Sequence, residues 1–245
     1  MYIHTFGSMP ELARGFCEFL KDDSEKALYT NNEYSIALAG GSTPRSVFEI
    51  LAMEYRTSIP WKDFHFYWGD ERCVPPGHPE SNYGMAREIL FEQVPVPSEN
   101  IHRMQGEANP EAEAKRYGNL LLEKLPISEN LPVFDLVMLG MGEDGHTASI
   151  FPGQHDLLES VYPCAVSSHP KTGQQRITLT GPVILNSKAV LFLVGGRSKQ
   201  SIFKRILAGG KEALDLPAWH IGQGPRVQWF CDRDAHPHGP DSLPV

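Results

Sequence analysis

The chain has 245 residues, of which 41% are hydrophobic and 21% charged, and its net charge is −8. That length suits one α/β domain spanning 1–245 with a well-buried core. No apolar run approaches the ~20 residues of a membrane helix, and the acidic balance argues against a general nucleic-acid or anionic-membrane surface.

In chain order, Ser8-Met9-Pro10-Glu11 gives a capped start to a helix running from Pro10 to about Asn31. "SIALAG" (35–40) reads as a strand and leads to a helix over 44–54. "FHFYWG" (64–69) reads as a second strand, with helices expected over 82–90 and 109–125. "FDLVMLGM" (134–141), "VYPCAVS" (161–167), "RITLT" (176–180) and "AVLFLVGG" (189–196) are further strand candidates, and the last precedes a helix over 197–208. The runs 35–40, 134–141 and 189–196 are almost wholly apolar, as strands buried on both faces are. The order implies a mostly parallel sheet with helices on both faces, a Rossmann-like α/β/α arrangement. "DRDAHPHGPDSLPV" (232–245) is expected to leave the core as a loose tail. At its His236-Pro-His238 a solvated tail is expected instead of a metal site.

Ligands of an open parallel sheet bind beyond the carboxyl ends of strands, so the loops that follow strands carry the argument. After the first apolar strand, "GGSTPRSVFEIL" (40–51) has Thr43 as an expected N-cap and Pro44 as the first helical residue. It reads either as a simple capped helix or as an anion site made by N–H groups near Gly41 with Ser42, Thr43 and Arg45. After "FHFYWG" come Asp70-Glu71-Arg72 and an ordered Pro/Gly loop, with Ser81-Asn82 as a cap. The triplet is either functional or a solvated charged turn.

"LGMGEDGHTASIFPG" (139–153) contains G-x-G-x-x-G. Asp144 and Glu143 put negative charge where a pyrophosphate would sit, and Glu159 precedes the next candidate strand instead of ending it. The distinctive feature is His146 just beyond a buried strand, with Asp144 able to orient it as a general base. After the last apolar strand, Ser198 is an expected cap and Lys199 lies in the first helical turn, where a bound anion would offset its unfavourable interaction with the helix dipole. Arg176 adds a cation.

Cys17, Cys73, Cys164 and Cys231 are widely spaced and read as structural thiols in a reducing cytosol. The N-terminus has no basic stretch followed by an apolar run, so no secretory leader is expected. The expected location is cytoplasmic.

Together, "GGSTPRSVFEIL" (40–51), "WGDERCVPPGHPESNYGMAREIL" (68–90), "FDLVMLGMGEDGHTASIFPG" (134–153) and "RITLTGPVILNSKAVLFLVGGRSKQ" (176–200) resemble the 6-phosphogluconolactonase family. The resemblance implies a three-layer α/β/α fold shared with glucosamine-6-phosphate deaminases. It implies hydrolysis of 6-phosphoglucono-1,5-lactone in the pentose phosphate pathway, without metal, nucleotide or other cofactor. His146 with Asp144 would activate water, Arg72 or glycine-turn N–H groups would meet the developing oxyanion, and Asp70 is a further catalytic candidate. Gly41, Ser42, Thr43, Arg45, Arg176 and Lys199 would hold the phosphate. The related deaminases carry Gly-His-Ile-Ala-Phe-Asn-Glu-Pro, and Phe151 stands here in place of that Glu; Arg72 replaces the Tyr of their Asp-Glu-Tyr. Both departures favour the lactonase over a deaminase. A non-catalytic sugar-phosphate sensor on the same fold is the alternative of a different class. The expected partner is a small sugar-phosphate lactone, with no nucleic acid or membrane, and a monomer is the working expectation.

Overall fold

A computed structural model describes residues 1–237. The elements are β1 (Tyr2–Phe6), α1 (Met9–Leu28), β2 (Tyr34–Leu38), α2 (Ser42–Glu54), β3 (Phe64–Trp68), β4 (Asp70–Arg72), α3 (Asn82–Ala86), α4 (Pro110–Lys124), β5 (Ile127–Ser128) and β6 (Leu131–Pro132). They continue with β7 (Leu136–Gly140), β8 (Cys164–Ser168), β9 (Gln175–Leu179), α5 (Gly181–Asn186), β10 (Ala189–Val194), α6 (Gln200–Ala208), α7 (Pro217–Gly222) and β11 (Val227–Asp232).

Six strands form one parallel sheet in the order β1-β11-β10-β7-β2-β3. Every residue of β2 is buried, as are Leu136–Leu139 of β7 and Val190–Val194 of β10. Burial of consecutive residues means that both faces of the sheet are covered, which is why these runs lack polar alternation. The α/β/α expectation therefore holds. No helix among the described residues is long and apolar enough to cross a membrane.

The expected strand "RITLT" forms, but in a second sheet. β9 lies between β4 and β8 with antiparallel pairing throughout. The connection 169–174 is too short for a parallel crossover, so β8 and β9 must run antiparallel. Gly69 joins the sheets: its N–H donates to Leu38 O and its carbonyl accepts from Leu179 N–H, both at 2.8 Å.

Within the six-stranded sheet, two strands escaped the sequence reading. β1 is an edge strand with three exposed residues, and β11 mixes Gln228 and Cys231 with its apolar residues. The tail expectation is corrected by β11, because Asp232 ends that strand. Its carboxylate accepts N–H bonds from Gly196 at 3.0 Å and Ala235 at 2.8 Å, and Ala235 is fully buried. These bonds hold the segment against the loop after β10. His238 and the rest of the expected tail lie outside the described residues.

The chain runs from β2 outward to β3, then returns to the other side of β2 as β7 and continues to β10 and β11. The order therefore reverses between β2 and β7, the place where open α/β sheets bind ligands. β2 pairs with β7 only through Ile36–Leu136 and Ala37–Val137, whereas it pairs with β3 along its length. Beyond those pairs the two strands part and leave a crevice.

Candidate active site

A cleft of about 200 Å³ opens at that crevice, lined from the carboxyl ends of β2, β7 and β10 and from β4 and β9. Gly41, Ser42, Thr43, Asp70, Arg72, His146, Arg176 and Lys199 all line it. Of the candidate residues, Arg45 and Asp144 do not: Arg45 is exposed on α2, and Asp144 sits behind His146.

Gly41 has φ +100° and turns the chain into α2 at Ser42, two residues earlier than expected. Thr43 is therefore inside the first turn and does not cap it. No side chain caps this helix start, so its first N–H groups remain available to an anion. Ser198 is likewise not a cap. Gly196 at φ +87° opens a short 3₁₀ turn, Arg197–Lys199, and Lys199 itself stands at the uncapped start of α6.

The loop after β7 carries the candidate base. Asp144 Oδ1 lies 2.6 Å from His146 Nδ1 and also accepts the His146 backbone N–H at 3.2 Å. With Nδ1 held, Nε2 is the ring nitrogen left to exchange protons. Burial raises the pKa of Asp144, but the hydrogen bond and charge of His146 outweigh it and bring the carboxylate down to about 2. Gly142 lies so close that a Cβ there would collide with His146 Nδ1 and Asp144 Oδ1. The ring of Phe151, fully buried, packs on the imidazole with centroids 4.7 Å apart. Arg176 lies over the same phenyl ring, 5.5 Å from its centroid.

Arg72 and Arg176 are register partners on β4 and β9. Arg72 Nη1 donates to Glu80 O at 2.8 Å, and Arg176 reaches Gln174 Oε1 at 3.3 Å. Each keeps a buried Nε–H with no partner among the described residues. Burial, and then the charge of Arg72, lower the Arg176 pKa, as expected for two cations awaiting an anion. Glu71 serves the frame instead of the cleft. Its two oxygens accept the N–H groups of Arg72, Asn82 and Tyr83 and the Ser81 hydroxyl. These bonds tie β4 to α3, whose N-cap is Ser81 as expected.

The sequence reading missed Ser149 and underread Asn82. Ser149 Oγ donates to Asp70 Oδ2 at 2.6 Å, and Asn82 Nδ2 donates to the Asp70 carbonyl at 2.9 Å. Ser149 gave no local signal, since its partners lie on distant strands; Asn82 was visible only as part of a cap. Among the described residues no cluster of His, Cys, Asp or Glu is arranged to hold a metal ion.

A cleft of paired histidine and carboxylate, facing cations and a bare helix start at the switch point of a parallel sheet, is suited to an anionic substrate. Residues 7–229 match the family of glucosamine-6-phosphate isomerases/6-phosphogluconolactonase, and the chain belongs to that family. The 6-phosphogluconolactonase of Haemophilus influenzae is 42% identical over 207 residues, covering 84% of this chain and 87% of its own. That of Treponema pallidum is 38% identical over 211 residues, covering 86% and 88%. The solved structure of 6-phosphogluconolactonase from Trypanosoma brucei superposes with a TM-score of 0.84 at 30% identity, covering 96% of this chain and 97% of its own.

Proposed function

We propose that this cleft is the catalytic centre in which His146 activates water against a sugar-phosphate lactone. The chain hydrolyses 6-phosphoglucono-1,5-lactone to 6-phosphogluconate in the pentose phosphate pathway, the activity of its relatives over most of its length. The observation that carries the residue assignment is His146, held from behind by Asp144 at 2.6 Å, lining a cleft with Arg72, Arg176 and Lys199. Among the described residues none of these three cations has a carboxylate within ion-pair distance.

A lactone carbonyl is electrophilic enough to need no covalent nucleophile. Neutral His146 takes a proton at Nε2 as the water oxygen bonds to C1, and Asp144 stabilises the resulting imidazolium. Negative charge moves to the carbonyl oxygen, where the Arg72 guanidinium or glycine-turn N–H groups oppose it. The C1–ring oxygen bond then breaks, and the ring oxygen takes the proton back from His146. The 6-phosphate is held by Arg176, Lys199 and the uncapped start of α2 at Gly41, Ser42 and Thr43, which orients C1. Phe151 cannot move a proton, so the ring-opening chemistry of an amino-sugar deaminase lacks its acid.

The test is turnover by purified protein. With spontaneous hydrolysis subtracted, lactone loss is expected to continue in EDTA and without nucleotide. Ammonia release from glucosamine 6-phosphate, with no lactone hydrolysis, would overturn the reading.

A further inference from the structure

Asp70 presents a nearly buried carboxylate to a cleft whose work is to bind anions. That is unfavourable unless its charge is either spent on a cation or held in place for one. Among the described residues no direct ion pair joins Asp70 to Arg72 or Arg176. Ser149 stands between: it donates to Asp70 Oδ2 at 2.6 Å and accepts from Arg176 Nη1 at 3.4 Å. Asn82 Nδ2 reaches Asp70 Oδ1 at 3.4 Å. Ser149 is completely buried, and its backbone N–H donates to Thr178 Oγ1 at 3.2 Å, the residue that faces Asp70 across the β4–β9 ladder. It follows Ala148, which lines the cleft at φ +47°, a conformation a residue with a Cβ rarely adopts. The bonds of Ser149 supply a reason for the chain to remain there.

We propose that Ser149 is a positioning residue that keeps the Asp70 carboxylate one hydroxyl away from Arg176, so that the guanidinium is oriented but not neutralised and stays free for the substrate's anion. This rests on the reading of Arg176 as a substrate-binding cation. A direct Asp70–Arg176 pair would occupy the guanidinium's paired donors and cancel its charge inside a poorly solvated cleft. With the hydroxyl interposed, the carboxylate still steadies the cation while its remaining N–H groups face the cleft. Because Ser149 lies on the loop that carries His146, the same hydroxyl ties the base's loop to the cationic wall.

The experiment compares Ser149→Ala, Asp70→Asn and the double variant, reading 6-phosphogluconate affinity by calorimetry and kcat and KM for the lactone. Ser149→Ala should let Arg176 close onto Asp70, weakening 6-phosphogluconate binding and raising KM about tenfold, the scale of one charge-assisted contact. The kcat, which depends on His146, should change much less than KM. Adding Asp70→Asn to Ser149→Ala removes the competing carboxylate and should recover affinity relative to Ser149→Ala alone. Ser149→Thr, which keeps the hydroxyl, should bind like the parent. A double variant weaker than Ser149→Ala would overturn the proposal, as would unchanged affinity in Ser149→Ala. If Ser149→Ala does not fold, Ser149→Cys, whose thiol is a weak donor, takes its place in the same cycle with the same expected recovery. Failure of the wild-type protein to hydrolyse the lactone would instead strike the reading on which the proposal rests.

Discussion

The Asp144 carboxylate lies 2.6 Å from His146 Nδ1 and 3.2 Å from the His146 backbone nitrogen, so one acid fixes both the ring and the main chain of the candidate base. The arrangement needs only the three residues 144–146 and a sharp turn at Gly145, whose φ is +84°. It leaves Nε2 as the ring nitrogen available for proton transfer.

His146→Asn removes that nitrogen while keeping a polar side chain. The variant should fold, bind 6-phosphogluconate and lose about 10²-fold or more in kcat. Background-corrected kinetics beside calorimetry checks both; a folded variant with near-normal kcat would exclude His146 as the base.

Gly142→Ala places a Cβ against His146 Nδ1 and Asp144 Oδ1. The pair must shift, and misplacing a catalytic group by about 1 Å costs up to roughly 10²-fold in rate. A loss of at least tenfold in kcat is expected, with 6-phosphogluconate affinity largely kept. Kinetics beside calorimetry separates the two effects.

Arg176→Ala and Lys199→Ala should each cost about 1.5–3 kcal/mol in kcat/KM for the phosphorylated lactone. An unphosphorylated lactone should be much less affected. Arg45→Ala should be nearly silent, because Arg45 is exposed and does not line the cleft. Steady-state kinetics on both lactones, with all three variants, tests the assignment.

A histidine pair away from the cleft gives a pH prediction for stability. His65 Nδ1 and His102 Nε2 are 3.1 Å apart, and burial, with the charges of His65 and Lys124, lowers the His102 pKa from 6.5 to about 4. The fold thus favours neutral His102. Its contribution is fully present above pH 6.5 and is lost as pH falls through about 4, because the unfolded chain takes up the proton first. His102→Gln should flatten the decline in unfolding free energy over that window, measured by denaturant titration at a series of pH values.

Helices α1, α2, α3, α4 and α6 and the apolar strands were legible because periodicity and turn residues act over a few positions, whereas the short α5 and α7 were not. "SIALAG", "FDLVMLGM" and "AVLFLVGG" appear as β2, β7 and β10, in strands buried on both faces. β1 and β11 were not legible: an edge strand needs no apolar face, and Gln228 and Cys231 interrupt the run in β11. The start of α2 was misread because Thr43-Pro44 satisfies local capping rules, whereas Gly41 with its positive φ begins the helix earlier.

By itself the sequence determined the carboxyl-end loops, the adjacency of Asp144 and His146, and a parallel sheet to carry them, since all three follow from short-range geometry and burial. Only the tertiary structure decided that β9 turns back into a second, antiparallel sheet, setting Arg176 opposite Arg72. It alone brought Ser149 to Asp70, 79 residues away in sequence, and left Arg45 outside. The physical reason is that side-chain spacing encodes local conformation, whereas contacts between distant segments depend on how whole strands pair and pack.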